Sequence, residues 1–431
     1  MELYEAIYEA NENKMIKNEE ECEKAVLIGI DDGNKYFEAS FDELYSLSET
    51  AGIDPSCELI QNREKPDNRT FLGKGKLEEL KLICHNRDIK IAIFNNELSP
   101  VQKRNLEDEL NIEIIDRTML ILEIFAMRAK SSEGKIQVEL ARLKYMLPRL
   151  TGKGIEMSRI GGGGGGTAGA RRGSGETKLE TDRRHIRSRI DSLKRQLTES
   201  EKHRQTLKKA RIKSGIKTVA IVGYTNAGKS TLMNLLTDAG VLAEDKLFAT
   251  LDPTSRALKL PDGRTVILID TVGLIRDLPY HLIEAFKSTL EEAATADVIL
   301  NICDISSEQA ANHLEVTKDL LMDLGLKDTP VINVMNKCDL INSEDISVIG
   351  AVVKISAKNA VGVDKLLEEI IKALPATQKN VELLIPFSKA NYAALIRKEG
   401  IVESEEYIEE GLKIKAVVDI KILKEIAEYI I

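Results

Sequence analysis

Gly223-Tyr224-Thr225-Asn226-Ala227-Gly228-Lys229-Ser230 fits the spacing G-x-x-x-x-G-K-[ST]. Glycines let backbone N–H groups turn toward phosphate oxygens, a following helix N-terminus adds positive potential, and Lys229 reaches the outer phosphates. The run follows Thr218-Val219-Ala220-Ile221-Val222, an apolar strand-like segment, and continues through Thr231 into the helical Leu232-Met233-Asn234-Leu235-Leu236. This strand–loop–helix context is what phosphate binding requires. The bland alternative, a Gly-rich turn before a helix, starts weak, and motifs downstream weaken it further.

A phosphate loop does not choose a base. Asn336-Lys337-Cys338-Asp339 stands directly after the apolar run Val331-Ile332-Asn333-Val334-Met335. At a strand end, the Asp of N-K-x-D can accept from the N1–H and N2–H₂ donors of guanine. Adenine offers no such donor pair, so the carboxylate would be left desolvated and unpaired. Asp339 is therefore the expected selectivity residue, with Asn336 tying the loop and Lys337 covering the base. Ser356-Ala357-Lys358, after Ala351-Val352-Val353-Lys354-Ile355, stands where a backbone N–H would meet guanine O6.

Asp270-Thr271-Val272-Gly273 follows the strand-like Val266-Ile267-Leu268-Ile269. As a D-x-x-G switch, Asp270 would hold Mg²⁺ through water and the Gly273 N–H would meet the γ-phosphate. Mg²⁺ is implied because it bridges phosphate oxygens and takes few protein ligands. Between loop and switch lies Phe248-Ala249-Thr250-Leu251-Asp252-Pro253-Thr254. A threonine here would complete the metal shell with Ser230; Thr250 is the first choice and Thr254 the fallback. Lys229, Thr250 and Gly273 form the expected catalytic set. Leu274 stands where many small GTPases have a water-orienting Gln, and leucine has no hydrogen-bonding group. Slow basal turnover, accelerated by a macromolecular partner, is expected. Asn226 reads first as a loop residue bonding its own turn; the sharper reading makes it a K⁺ ligand.

The elements that must position these residues can be sketched. The chain has 431 residues, 43% hydrophobic and 30% charged, which suits a soluble globular protein of several domains. Five cysteines without a C-x-x-C argue against a disulfide framework or zinc site and suit a reducing cytoplasm. The acidic Met1-Glu2-Leu3-Tyr4-Glu5 has no signal-peptide pattern, and no apolar stretch is long enough for an integral membrane segment. A cytoplasmic monomer is expected, with peripheral membrane contact left open.

Charge is uneven. Residues 128–213 carry 23 Lys and Arg against 9 Asp and Glu, a local +14 that leaves −23 elsewhere in a chain of net charge −9. A lone basic segment in an acidic chain points to a polyanion, although most charge runs are solvated helix faces. Ile136, Leu140, Leu143, Leu147 and Leu150 make one helical stripe, and Ile186, Ile190, Leu193 and Leu197 another. The two are expected to zip into an antiparallel hairpin. The connection, residues 151–175, holds 11 of the chain's 28 glycines, with Gly161 to Gly166 in one run and Arg159, Arg171 and Arg172 beside it. Such a tip is expected to be disordered alone and to thread into an RNA crevice by shape and phosphate contact.

Four domains are expected. Residues 1–116 alternate strand-like and helical runs, a small parallel α/β domain. Its strands are Ala25–Ile30, Glu58–Gln61, Ile89–Phe94 and Ile112–Ile115; its helices are Phe41–Thr50, Lys76–Asn86 and Pro100–Leu110. Residues 117–214 hold the basic hairpin. Residues 215–375 form a doubly wound α/β domain with six strands. Residues 376–431 form a short α+β tail with strands at Val381–Ile385 and Leu412–Val418. The fold class is thus α/β.

The chain resembles the HflX-type GTPases over nearly its whole length. The specific stretches are Phe71 to Leu80, Gln137 to Leu150, Gly175 to Arg184, the phosphate loop, Phe248 to Thr254, Asp270 to Pro279 and Glu403 to Tyr407. The glycine run here is longer than that family's usual loop. The resemblance implies a GTPase that binds the large ribosomal subunit near the peptidyl-transferase centre through its hairpin and loop. Arg159, Arg171, Arg172, Arg183 and Arg184 would then be rRNA contacts. It further implies splitting of stalled ribosomes in the GTP form under stress, with hydrolysis driving release. ATP has been associated with that family's N-terminal region; residues 1–130 carry no motif for it. A competing reading is an rRNA-binding assembly or hibernation factor that uses GTP structurally and hardly hydrolyses it. A tRNA-modifying GTPase finds no support, because the C-terminal cysteine motif is absent.

Overall fold

The structure is a computed structural model. It describes residues 23–150, 171–237, 248, 254–271, 273–275, 295–323, 326, 329–341, 352–375 and 378–431.

The N-terminal unit runs β1 (Glu23–Asp31), α1 (Phe37–Thr50), β2 (Ile53–Asn62), α2 (Lys74–Arg87), β3 (Ile91–Phe94), α3 (Pro100–Leu110), β4 (Glu113–Asp116) and α4 (Arg117–Arg128). The strands form a parallel sheet in the order β2-β1-β3-β4. Along β1, Ala25 and Leu27 enter one apolar cluster while Val26, Ile28 and Ile30 enter another. Both faces are covered, as parallel sheets require. Local signals set the helix starts. The Ser99 hydroxyl accepts the Gln102 N–H at 3.2 Å, Gln102 Oε1 accepts the Ser99 N–H at 3.0 Å, and Pro100 opens α3. Asp116 caps α4 by accepting the Met119 N–H at 2.9 Å.

The basic segment folds as a hairpin of α5 (Ser132–Met146), a 3₁₀ turn (Leu147–Leu150) and α6 (Arg171–Ser214). Leu140, Leu143, Ile190 and Leu193 form its core, flanked by Ile136, Leu147, Ile186 and Leu197. The two expected stripes therefore meet. Glu139 takes both Nε and Nη2 of Arg189, at 2.8 and 2.9 Å, and Glu133 meets Arg204 at 2.9 Å. The expected connection is corrected at its far end, because residues 171–175 are already helical. Helix propagation adds one hydrogen bond per residue, so a helix anchored by packing tolerates Gly173 and Gly175 at about 1 kcal/mol each. Residues 151–170, with Arg159 and the six-glycine run, lie outside the described residues. Leu193 is wholly buried, so Leu193→Ala should lower stability by about 2–5 kcal/mol in chemical denaturation.

The hairpin is not hung on a linker. Helix α4 lies between β3 and α1 on one side and α5 on the other. Tyr145 of α5 donates to Asp116 Oδ2 at 2.5 Å. Burial, together with the Asp116 carboxylate, pushes the Tyr145 phenol well above its usual range, so it stays a donor. The Arg149 guanidinium lies 3.5 Å over the Tyr145 ring and donates to Glu97 and to the Leu98 carbonyl, both at 2.9 Å.

The third unit runs β5 (Lys217–Gly223), α7 (Lys229–Thr237), β6 (Thr254–Lys259), β7 (Thr265–Asp270), β8 (Val298–Asp304), α8 (Ala310–Asp323), β9 (Val331–Asn336), β10 (Val352–Lys354) and α9 (Val363–Ala373). Its sheet has the order β10-β9-β8-β5-β7-β6, with β6 antiparallel to β7 and the other pairs parallel. This is the six-stranded doubly wound sheet expected. Gly223, Asp270, Asp304 and Asn336 all stand at carboxyl ends of strands, on one edge of the sheet, where open α/β sheets bind ligands.

The tail comprises β11 (Gln378–Ile385), α10 (Ala390–Glu399), β12 (Ile401–Ile408), β13 (Gly411–Asp419) and α11 (Ile420–Ile426). Its antiparallel sheet has the order β11-β13-β12, with a core of Leu383, Ile385, Ile396, Ile414, Val418 and Ile426. Among the described residues no helix is long and apolar enough to cross a membrane.

Candidate nucleotide site

The loop after β5 turns on backbone that only certain residues adopt. Gly223, Asn226 and Gly228 have φ of +149°, +59° and +89°. A Cβ on Gly228 would overlap Asn336 Nδ2, so this glycine is required by packing as well as by conformation. Lys229 opens α7, and its Nζ donates to the Tyr224 carbonyl at 2.7 Å. Burial pushes the Lys229 ammonium down to about 8, with nearby Asp270 working the other way. Ser230 Oγ donates to Asp270 Oδ2 at 3.1 Å. Ala227 is buried, Thr231 is half-buried, and Asn226 is exposed on the loop.

The two other halves of the site converge on this loop. Asp270 is wholly buried at the end of β7, and Thr271 Oγ1 donates to the Ile221 carbonyl at 2.8 Å. Leu274 is bonded on both sides to the phosphate loop: its N–H donates to the Gly223 carbonyl at 3.1 Å, and its carbonyl accepts the Thr225 N–H at 2.8 Å. A Cβ on Gly273 would lie 2.7 Å from Thr225 Cγ2 and 3.2 Å from Lys229 Nζ. Only glycine permits this approach of the switch to the loop. Leu274 is 4% exposed, so its side chain does not face a reacting water.

Asn336 joins the base-side loops. Its Nδ2 donates to the Ala227 carbonyl and its Oδ1 accepts the Ala357 N–H, both at 2.9 Å. Lys337 sits at φ +63° and meets Asp304 Oδ2 at 2.6 Å. Cys338 and Asp339 lie in a 3₁₀ turn pinned by the Cys338 N–H to the Ile355 carbonyl at 3.1 Å. The Asp339 carboxylate is exposed, and the buried Ser356 hydroxyl beside it holds it below the usual carboxylate range. Ala357 is buried and Lys358 exposed. An ionised acceptor at the open mouth of this loop is what a guanine edge needs.

The described residues place the candidates as follows. Phe248 is 2% exposed at φ +55°, packed on Phe125. Ala249, Thr250, Leu251, Asp252 and Val272 lie outside the described residues. Thr254 is the first residue of β6, opposite Asp270 in the register. Arg171 and Arg172 open α6, while Arg183 is half-buried and Arg184 exposed further along it. The Ser230 hydroxyl and the Asp270 carboxylate are hard oxygen donors already in contact. They suit Mg²⁺, which keeps most of its shell as water and phosphate oxygen. Sequence reasoning missed Glu43 and His313, which touch Tyr224, and Arg117, which pairs with Glu43. No local motif marks them, and Glu43 lies 181 residues from Tyr224.

Comparison with known proteins agrees with this geometry. Residues 38–126 match the family model described as GTP-binding GTPase N-terminal, and residues 128–211 match GTP-binding GTPase Middle Region. Residues 218–337 match the model described as 50S ribosome-binding GTPase. The chain is 48% identical over 415 residues to GTPase HflX of Caldanaerobacter subterraneus, covering 95% of this chain and 94% of that protein. It is 36% identical over 400 residues to GTPase HflX of Escherichia coli K12, covering 90% and 92%. A solved GTP-binding protein of Sulfolobus solfataricus in complex with GDP aligns at 27% identity, with a TM-score of 0.43 over 81% of this chain and 98% of that one. Identity of 48% and 36% to the two HflX proteins over nine-tenths or more of each chain, together with the three GTPase family models, shows that the chain is a GTPase of the HflX family.

Proposed function

We propose that this GTPase binds the large ribosomal subunit through its basic hairpin, splits stalled ribosomes in the GTP form, and is released by hydrolysis. The observation that carries the reading is the continuity between site and hairpin. Tyr224, Phe248 and Ile275 of the nucleotide unit share one buried cluster with Phe125 of α4 and with Val138, Ala141 and Tyr145 of the hairpin helix α5. A change at the switch therefore has packed side chains through which to reach the RNA-binding arm. Supporting it is the local charge of +14 over residues 128–213.

In this reading Lys229 and the loop amides hold the β- and γ-phosphates, and Asp339 with a backbone N–H of the Ser356-Ala357-Lys358 loop reads the guanine. Thr250 and the Gly273 N–H sense the γ-phosphate. Ser230, Thr250 and, through water, Asp270 would hold Mg²⁺, which supplies charge neutralisation on the phosphate oxygens. Asn226 would add a K⁺, which turnover in potassium against sodium tests. Leu274 cannot orient water, so the missing help comes from the ribosome. Arg159, Arg171, Arg172, Arg183 and Arg184 contact rRNA. The protein acts as a monomer in the cytoplasm.

The test is GTP turnover by the purified chain with and without large subunits, while sedimentation reads subunit splitting. Slow basal turnover, strong acceleration and GTP-dependent splitting are expected. Deleting residues 161–172 should spare GTP binding and impair splitting. Tight binding without acceleration or splitting would instead indicate an assembly or hibernation factor, a reading that Leu274 keeps open.

A further inference from the structure

Tyr224 belongs to the phosphate loop, yet its side chain meets groups of two other elements, α8 and α1. Its ring is stacked on His313 of α8, with centroids 3.9 Å apart and planes 13° apart. Its hydroxyl donates to Glu43 Oε1 of α1, in the N-terminal unit, at 2.8 Å. The other Glu43 oxygen pairs with Arg117 Nη2, and both side chains are nearly buried. Arg117 also donates to Asn95 Oδ1 at 3.0 Å and to the Ser40 carbonyl at 3.1 Å. Asn95 follows β3 and Arg117 follows β4. Glu43 is thus aimed at Tyr224 by groups fixed to the carboxyl edge of the N-terminal sheet.

The backbone of the same tyrosine serves the nucleotide. Its carbonyl accepts from Lys229 Nζ, and its neighbours Gly223 and Thr225 are both bonded to Leu274 of the switch. Beside it, Phe248 meets Phe125 edge to face at 4.5 Å, and Ile275 joins the same cluster. A phenylalanine would fill the same space against His313. What tyrosine adds is one hydroxyl, bonded to a carboxylate of another unit. Hydrogen bonds to ionised acceptors are about twice as strong as neutral ones. Losing it unties the ring from Glu43 while the stack on His313 stays, so the carbonyl that accepts from Lys229 is held less firmly.

We propose that Tyr224 is the positioning residue through which the N-terminal unit sets the grip of the phosphate loop on its nucleotide, with Glu43 as its partner. This rests on the reading of that loop as the GTP site. Coupling of this kind is reciprocal. A polyanion on the hairpin that shifts the N-terminal unit must change nucleotide affinity by the same factor by which nucleotide changes polyanion affinity.

The experiment measures release of a fluorescent N-methylanthraniloyl-GDP from the full chain, from Tyr224→Phe, from Glu43→Gln and from the double variant. Each single change is expected to speed release about five- to tenfold, a part of what one charge-assisted hydrogen bond supplies. The double variant should release little faster than Glu43→Gln alone, because once the carboxylate is gone the Tyr224 hydroxyl has no charged acceptor left to lose. Glu43→Gln should also raise KM for GTP while kcat holds, which a general loss of stability would not do. If Glu43→Gln fails to fold, Tyr224→Phe decides alone, since it keeps the stack and removes only the hydroxyl. Unchanged release from variants of a chain that holds GDP overturns the coupling alone, and so do additive effects. A wild-type chain that holds no guanine nucleotide overturns both the coupling and the reading it rests on.

Discussion

Lys229→Ala is expected to weaken GTP binding by about 3 kcal/mol or more, over a hundredfold, in a direct titration. The residue is 7% exposed, its Nζ reaches Tyr224, and Asp270 lies close enough to oppose the depression of its pKa. Alanine removes the only ammonium placed there by the motif and leaves Asp270 without its nearby cation. The sign of a pH effect follows from the same burial. With the ammonium pushed down to about 8, its charged form is lost as pH rises through that value. A polyphosphate restores the charge by attraction. Above about pH 8, nucleotide binding should therefore take up a proton and weaken with rising pH, while below about pH 7 this contribution is flat. Calorimetry in two buffers of different ionisation enthalpy reads the proton directly. An alanine variant that binds GTP within tenfold of wild type would remove Lys229 from the phosphate site.

The second large effect is one of selection. Asp339→Asn should lower GTP affinity by about two orders of magnitude, because an ionised acceptor matched to two guanine donors is replaced by a group that presents a donor to one of them. Xanthine carries an oxygen where guanine carries its N2 amino group, so the variant should gain affinity for xanthosine triphosphate. The loop itself should survive the change. Asn336 still ties Ala227 to Ala357, and the Cys338 N–H still reaches the Ile355 carbonyl. Competition among GTP, ATP and xanthosine triphosphate measures the change. An unaltered ratio of GTP to xanthosine triphosphate affinity would assign base selection to other groups.

Where the chemistry is local, the sequence was legible. The phosphate loop, the strand before it and the helix after it stand together because glycine spacing, an apolar run and an amphipathic segment are all written within about twenty residues. The hairpin was legible for a related reason. The 4-3-4 spacing of Ile186, Ile190, Leu193 and Leu197 permits one buried face, and that face meets its partner stripe in the structure. Strand β12 was missed. Its Glu403, Glu405 and Glu406 leave no apolar alternation to mark a strand, yet an edge strand exposed along nearly its whole length can carry carboxylates without cost to the core. The start of α6 was set too late, because Gly173 and Gly175 weigh against a helix locally but little against a long one already anchored. Glu43 was invisible for a different reason. A single glutamate on an amphipathic helix looks solvated until a tyrosine from another unit is laid over it.

The length of α6 carries a mechanical consequence. At 1.5 Å per residue its 44 residues form a rod about 66 Å long. The rod ends at Ser214, and β5 begins at Lys217 and runs straight into the phosphate loop at Gly223. The phosphate-loop motif thus stands at the root of a long lever. A rotation of about ten degrees at the root would sweep the far end through about 11 Å, roughly two turns of the helix itself.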